Sequence, residues 1–134
     1  MAQARRDLEN AKYEAKGRFF EWACFLCQQS AEKAVKAVYQ RTGAEAYGHS
    51  VSGLLSRLSL IDSTNDSEKP IDLQKKSELV ALAKELDKNY IAARYPNTHP
   101  EGAPFAMYTE PEADRSIEYA ERIIRFCEDL LSRI

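Results

Sequence analysis

The stretch from Phe19 to Arg41, FFEWACFLCQQSAEKAVKAVYQR, constrains this chain most tightly. Phe20, Cys24, Cys27, Ala31, Val35 and Val38 recur at spacings of three and four, the repeat of an α-helix, and Phe19, Trp22, Ala23 and Leu26 widen the stripe into a second apolar face. Such a helix is buried only if neighbours pack on both faces, so the stretch predicts a central helix wrapped by the rest of the chain. After Ser30 the pattern narrows, and Glu32, Lys33, Lys36 and Gln40 mark a wet side. One end is therefore core and the other partly surface. Clustered aromatic and sulfur side chains at this spacing are bundle core rather than a cofactor box.

The flanking segments carry the same periodicity. Ala4, Leu8, Ala11 and Ala15 predict a first helix from about Ala2 to Lys16, stopped at Gly17, whose small side chains let it lie close against the aromatics of the second. Thr42 and Gly43 end the second helix. A short third helix runs from about Ser50, its expected cap, to Leu60, with Val51, Leu54, Leu55, Leu58 and Ile61 facing inward. The polar, turn-rich IDSTNDSEKP that follows reads as a mobile loop. A fourth helix, from about Leu73 to Ala93, has Leu79, Leu82, Leu86 and Tyr90 as its buried line. Lys75, Lys76, Lys84 and Lys88, interleaved with Glu78, Glu85 and Asp87, form its solvated face. Pro96 forbids continuation.

The next piece, YPNTHPEGAPFAMY, holds three of the five prolines and reads as a stiff loop able to hold Arg94, His99 and the aromatic residues in fixed positions. Thr109 and Glu112 form a capping box that opens the last helix, with Ala113, Ile117, Ala120, Ile124, Cys127 and Leu131 as its apolar line. No period-two run is long enough to be a strand. The expected fold is therefore all-α: an antiparallel up-and-down bundle of four long helices plus one short helix, forming one domain over residues 1–134.

Composition limits the function. A formal net charge of -2 gives no global attraction for nucleic acid, so any RNA contact must come from a local patch or a paired subunit. Cys24, Cys27 and Cys127 all fall on apolar stripes, where a thiol acts as a small hydrophobe, and their odd number implies a reducing compartment. The Cys24–Cys27 CxxC lies mid-helix without a second ligand pair, and His49 and His99 are far apart in sequence, so no metal site and no cofactor is expected. With no signal peptide or apolar run of membrane length, the expected location is cytoplasmic, without membrane contact.

The run Trp22-Ala23-Cys24-Phe25, then Gln28-Gln29-Ser30-Ala31-Glu32-Lys33-Ala34-Val35-Lys36-Ala37, Gly48-His49-Ser50, Tyr90-Ile91, Ala93-Arg94-Tyr95-Pro96-Asn97 and Tyr108-Thr109 resembles the HEPN domain, a name that abbreviates "higher eukaryotes and prokaryotes nucleotide-binding". The resemblance implies a helical up-and-down bundle, usually a dimer. Many members are metal-independent ribonucleases with an arginine followed after four to six residues by a histidine, and several pair with a minimal nucleotidyltransferase as toxin and antitoxin. By that resemblance Arg94 and His99, four residues apart, are the candidate catalytic pair. Two positions depart from the family's pattern. Tyr95 follows the arginine where ribonuclease members commonly carry a polar residue, and Glu101 stands two places after His99 where nucleotidylated members carry tyrosine.

Cleaving RNA without a metal requires a base for the 2′-hydroxyl proton, an acid for the leaving oxygen and positive charge on the phosphate. His99 suits either of the first two roles and Arg94 the third. One chain offers one histidine in this loop, so catalysis is expected to belong to a homodimer whose loops meet across a twofold axis. The plainer reading makes Arg94 a cap on the carbonyls ending the fourth helix and His99 an exposed loop residue. His49 is expected to make a local structural hydrogen bond. The alternatives to a nuclease are a nucleotide- or polyanion-binding module, with Lys33, Lys36 and Tyr95 beside Arg94 as contacts, and a structural partner of a nucleotidyltransferase.

Overall fold

The computed structural model describes residues 1–62, 73–95 and 102–134, apart from the side chains of 59–62 and 73. All secondary structure in them is helical: α1 (Ala2–Lys16), α2 (Phe20–Thr42), α3 (Val51–Asp62), α4 (Leu73–Asp87), α5 (Asn89–Ala92), α6 (Pro104–Met107) and α7 (Glu110–Arg133). Helix α2 is the hub, packing against every other helix, with α1 and α7 making its most extensive contacts. Its predicted stripe, Phe20, Cys24, Cys27, Ala31, Val35 and Val38, is buried throughout, as are Ala23 and Leu26 of the second face. Phe19 and Trp22 on that second face are not covered. The bundle of four long helices and one short helix thus forms as the periodicity requires.

Two helix ends show how backbone geometry is shared out. At the end of α2, Gly43 takes the left-handed conformation (φ 77°), and the amides of Gly43 and Ala44 donate to the carbonyls of Gln40 and Tyr39. The end of α1 has the same bond pattern, Arg18 to Ala15 and Phe19 to Glu14, yet the left-handed residue is Arg18 (φ 67°), not Gly17. Gly17 is itself right-handed, and a Cβ there would lie 3.1 Å from Cδ2 of Phe19, so the exposed ring would have to give by a few tenths of an ångström. Helix α1 ends at Lys16 with Gly17 as its C-cap, as expected, and the left-handed residue falls one place further on at Arg18.

Two residues expected on the solvated face of α4 instead hold α3. Asp87 accepts from the amides of Val51 (2.7 Å) and Ser52 (3.1 Å) and from the hydroxyls of Ser50 and Ser52. A carboxylate placed on the amides of a helix N-terminus satisfies orphan donors and meets the positive end of the dipole. Ser50 contributes the expected cap, its Oγ accepting from the amide of Gly53. Lys76 is buried and donates to the carbonyl of Ser56 at 2.9 Å, and that burial pulls its pKa down. A periodicity argument places such residues on the wet side because it sees one helix at a time. The expected fourth helix also breaks at Lys88, leaving α5 as a separate single turn.

The proline-bearing stretch carries a short helix, α6, with Pro104 in its first turn, and Thr109 caps α7 by accepting from the amide of Glu112. The polar segment after α3 expected to be mobile lies, at residues 63–72, outside the described residues, as do Pro96, His99 and Glu101.

Two outcomes follow for stability. Arg18→Gly relieves a left-handed L-residue and raises the urea midpoint by the equivalent of about 0.5–1 kcal/mol. Asp87→Ala removes the α3 cap and lowers stability by about 1–2 kcal/mol, read in the same titration.

Candidate functional site: an arginine corner beside a buried carboxylate

Arg94 lies just beyond α5, whose last turn closes through donation from its amide to the carbonyl of Ile91. Its guanidinium turns back onto that turn: Nε and Nη2 donate to the carbonyl of Tyr90 at 2.9 and 2.7 Å. The plainer expectation, an arginine capping helix-end carbonyls, is thereby met. The same group lies over three aromatic rings, with Cζ 4.4 Å from the centroid of Phe25, 4.8 Å from Tyr90 and 5.2 Å from Tyr95. Such contacts hold a cation in place without neutralising it, each contributing about 0.5–1 kcal/mol when exposed. Among the described residues no carboxylate pairs with Arg94.

Apolar groups surround this corner. Trp22 packs against Phe25 at 5.1 Å between centroids and is 39% exposed, while Ile91 and Tyr95 are also exposed. Helix α6, which packs on α2, presents Phe105 and Met107 to solvent.

A polar cluster built on Glu32 reaches Tyr90 through His49. Its buried carboxylate accepts from Lys36 Nζ (2.9 Å), Gln28 Nε2 (3.2 Å) and Gln29 Nε2 (3.4 Å), and its Oε1 lies 3.0 Å from Nδ1 of His49. Four partners compensate the desolvation that makes a lone buried charge costly. Gln28 also donates to the carbonyl of His49 at 2.8 Å, and the imidazole stacks on the Tyr90 ring at 4.7 Å and 15°. His49 therefore does make a structural hydrogen bond, but to a residue of α2 far from it in sequence rather than a local one. Gln28 and Glu32, one turn apart, are the polar pair beside an apolar stripe that could have signalled it.

The remaining candidates separate. Lys33 is paired with Asp7 of α1 and Lys36 with Glu32, so both ammonium groups have carboxylate partners. Tyr95 lies beside Arg94. His99 falls outside the described residues.

A cavity of about 410 Å³ opens between α2, α4, α5 and α7, with Cys24, Asn89, Tyr108 and Ser116 in its lining. These four are chained: the Tyr108 hydroxyl donates to Asn89 Oδ1 (3.0 Å), Asn89 to Ser116 Oγ (3.5 Å), and Ser116 to Cys24 Sγ (3.5 Å). Burial pushes the Tyr108 hydroxyl up and the Cys24 thiol up to about 11. It also pushes Cys27 and Cys127 well up. None of the three thiols resembles the low-pKa cysteine that redox or nucleophilic chemistry needs.

The fold and this corner define a class: a helical bundle whose central helix carries a buried carboxylate cluster and whose short fifth helix delivers a ring-bound arginine. The chain belongs to the HEPN domain family, whose model matches residues 1–130. It is 29% identical over 131 residues to "Putative toxin MJ1304" of Methanocaldococcus jannaschii, covering 96% of this chain and 84% of the relative. Among solved structures it is similar to TT1696 from Thermus thermophilus (TM-score 0.82, 37% identity, 96% of this chain and 93% of that one). ST0689, an archaeal HEPN homologue, matches with TM-score 0.73 and 41% identity over 96% of this chain and 91% of that one. An HEPN domain protein from Thermotoga maritima matches with TM-score 0.72 and 48% identity over 100% of this chain and 98% of that one.

The buried thiols give a test with a definite sign. A thiol whose native pKa is raised contributes stability that is full below its unfolded value and is lost as pH rises toward the native value. The urea midpoint is therefore expected to fall between about pH 9 and 11, and less so in a Cys24→Ala variant, and at pH 8 a thiol reagent should label the three cysteines only after unfolding.

Proposed function

We propose that this protein is a metal-independent endoribonuclease that works as a homodimer and serves as the toxin of a HEPN/nucleotidyltransferase toxin–antitoxin pair. The observation that carries the reading is Arg94: a guanidinium fixed by one backbone carbonyl and three rings, unpaired with any described carboxylate, on a surface rich in exposed aromatic side chains. A cation kept in place but not neutralised suits a phosphodiester, whose non-bridging oxygens it can bind and whose transition-state charge it can stabilise. His99 supplies the proton transfer. The relative named as a toxin supports the biological half of the reading.

The homodimer is supported by the uncovered second face of α2. Phe19 and Trp22, with Ile91, Tyr95, Phe105 and Met107 on neighbouring elements, offer apolar area of the kind that two copies bury against each other. Docking there would bring two copies of Arg94 to a shared cleft. The alternative, a non-catalytic nucleotide- or polyanion-binding module, draws support from exposed Tyr95 as a base-stacking ring, while carboxylate partners on Lys33 and Lys36 weigh against those two as phosphate contacts.

In chelator, the wild-type protein is expected to cleave mixed RNA, and Arg94→Ala or His99→Ala to lose at least about a hundredfold in rate. Trp22→Glu should yield a monomer in analytical ultracentrifugation and abolish cleavage together with dimerisation. Nucleotide binding without cleavage would instead establish the binding module, and neither activity would leave a structural partner.

A further inference from the structure

We infer that His49 is a second imidazole of the arginine corner, a base supplied by the same chain as Arg94 and held ready by Glu32. The inference rests on the ribonuclease reading above and changes it in one respect: each protomer then carries its own base, and the partner is not needed for that role.

Three observations place His49 in the corner. The first is proximity. Its ring centroid is 4.7 Å from that of Tyr90, and Arg94 Cζ is 4.8 Å from the same ring, so imidazole and guanidinium carbon are no more than about 9.5 Å apart. A ribose phosphate bridges such a gap when the base sits about 3 Å from the 2′-oxygen and the guanidinium about 3 Å from a non-bridging oxygen. The second is orientation. Nδ1 faces the Glu32 carboxylate at 3.0 Å, so its proton is donated there and Nε2 is left with the lone pair. Stacking on Tyr90 fixes the ring plane as well. The third is access: the His49 side chain is 57% exposed, against 7% for Glu32.

A purely structural role leaves that arrangement unexplained. The segment is already anchored by donation from Gln28 to the His49 carbonyl, and Lys36 already pairs with Glu32 from one turn away. Glu32 keeps three partners without the imidazole, yet the ring is held at both its plane and one nitrogen. A carboxylate on one nitrogen of an exposed imidazole is the arrangement that orients a base and stabilises the imidazolium it becomes.

The step balances. Nε2 takes the 2′-hydroxyl proton, the 2′-oxygen forms a bond to phosphorus, and the bond from phosphorus to the 5′-oxygen breaks. The products are a 2′,3′-cyclic phosphate and a 5′-alcohol. The leaving oxygen takes its proton from the imidazolium of His99, which keeps the acid's part of the ribonuclease reading, and the proton taken up by His49 returns through water to His99. Arg94 binds the non-bridging oxygens throughout.

The deciding variant is His49→Asn, whose Nδ2 can keep the donation to Glu32 while Nε2 is removed. Assayed on RNA in chelator, it should unfold at the wild-type urea concentration and keep KM within about threefold, while kcat falls by about 10²–10⁴. His49→Ala, which also takes away one of the four partners of the buried Glu32 carboxylate, should lose stability in addition. Wild-type kcat in His49→Asn would overturn the inference and leave the ribonuclease reading intact. If the wild-type protein fails to cleave at all, the ribonuclease reading falls, and the placement of His49 is still decided by titration with a 2′-deoxy oligonucleotide. Movement of the His49 imidazole resonances, lost in Arg94→Ala, keeps His49 in the corner as a contact; unmoved resonances remove it.

Discussion

The buried carboxylate of Glu32 is the interaction on which this structure turns. A charge taken out of water on the hub helix must be compensated, and it is met by an ammonium and two amides from α2 itself and an imidazole from the segment before α3. That requirement fixes Gln28 and Lys36, one turn before and after Glu32, and Gln29 beside them on α2, and draws His49 to it. The rest of α2 obeys a simpler demand, that apolar surface be covered, which α1, α3, α4 and α7 meet. Polar and apolar constraints thus divide one helix lengthwise.

The arginine corner is assembled from backbone and rings rather than from ion pairs. Arg94 takes its place from the Tyr90 carbonyl and the faces of Phe25, Tyr90 and Tyr95, while Lys33 and Lys36 of α2 have carboxylate partners. That contrast separates a charge held by a carbonyl and rings from charges committed to ion pairs. Cys24, Cys27 and Cys127, by comparison, are core atoms whose chemistry is suppressed by burial.

Much of the bundle was legible from spacing alone, because burial along a helix follows a fixed repeat: the six-residue stripe of α2, Ala4, Leu8 and Ala11 of α1, and Ala113, Ala120, Ile124 and Cys127 of α7 are all in the core. What spacing could not reveal were contacts between helices by polar groups. Asp87 and Lys76 look like solvent-facing residues in the repeat of α4, yet one caps α3 and the other bonds its carbonyl. The left-handed residue at the end of α1 was also out of reach, since glycine is the natural choice and the neighbouring Gly17 is itself right-handed. At the site, Arg94 was named from motif and resemblance, and its geometry agrees with helix-end capping. The meeting of His49 with Glu32 was not foreseen, because residues 17 apart come together only once α2 and α3 are packed.

One further consequence concerns Tyr90, which serves two neighbours by different means. Its main-chain oxygen holds Arg94, and its ring carries His49 as well as lying against the Arg94 guanidinium. The first service is indifferent to side-chain identity, and the second asks only for a flat π-surface. Natural variation at this position is thus free to drop the phenol oxygen while keeping the six-membered ring. An aliphatic replacement would leave the guanidinium on its carbonyl and two remaining rings while setting the imidazole loose, loosening one function and releasing the other.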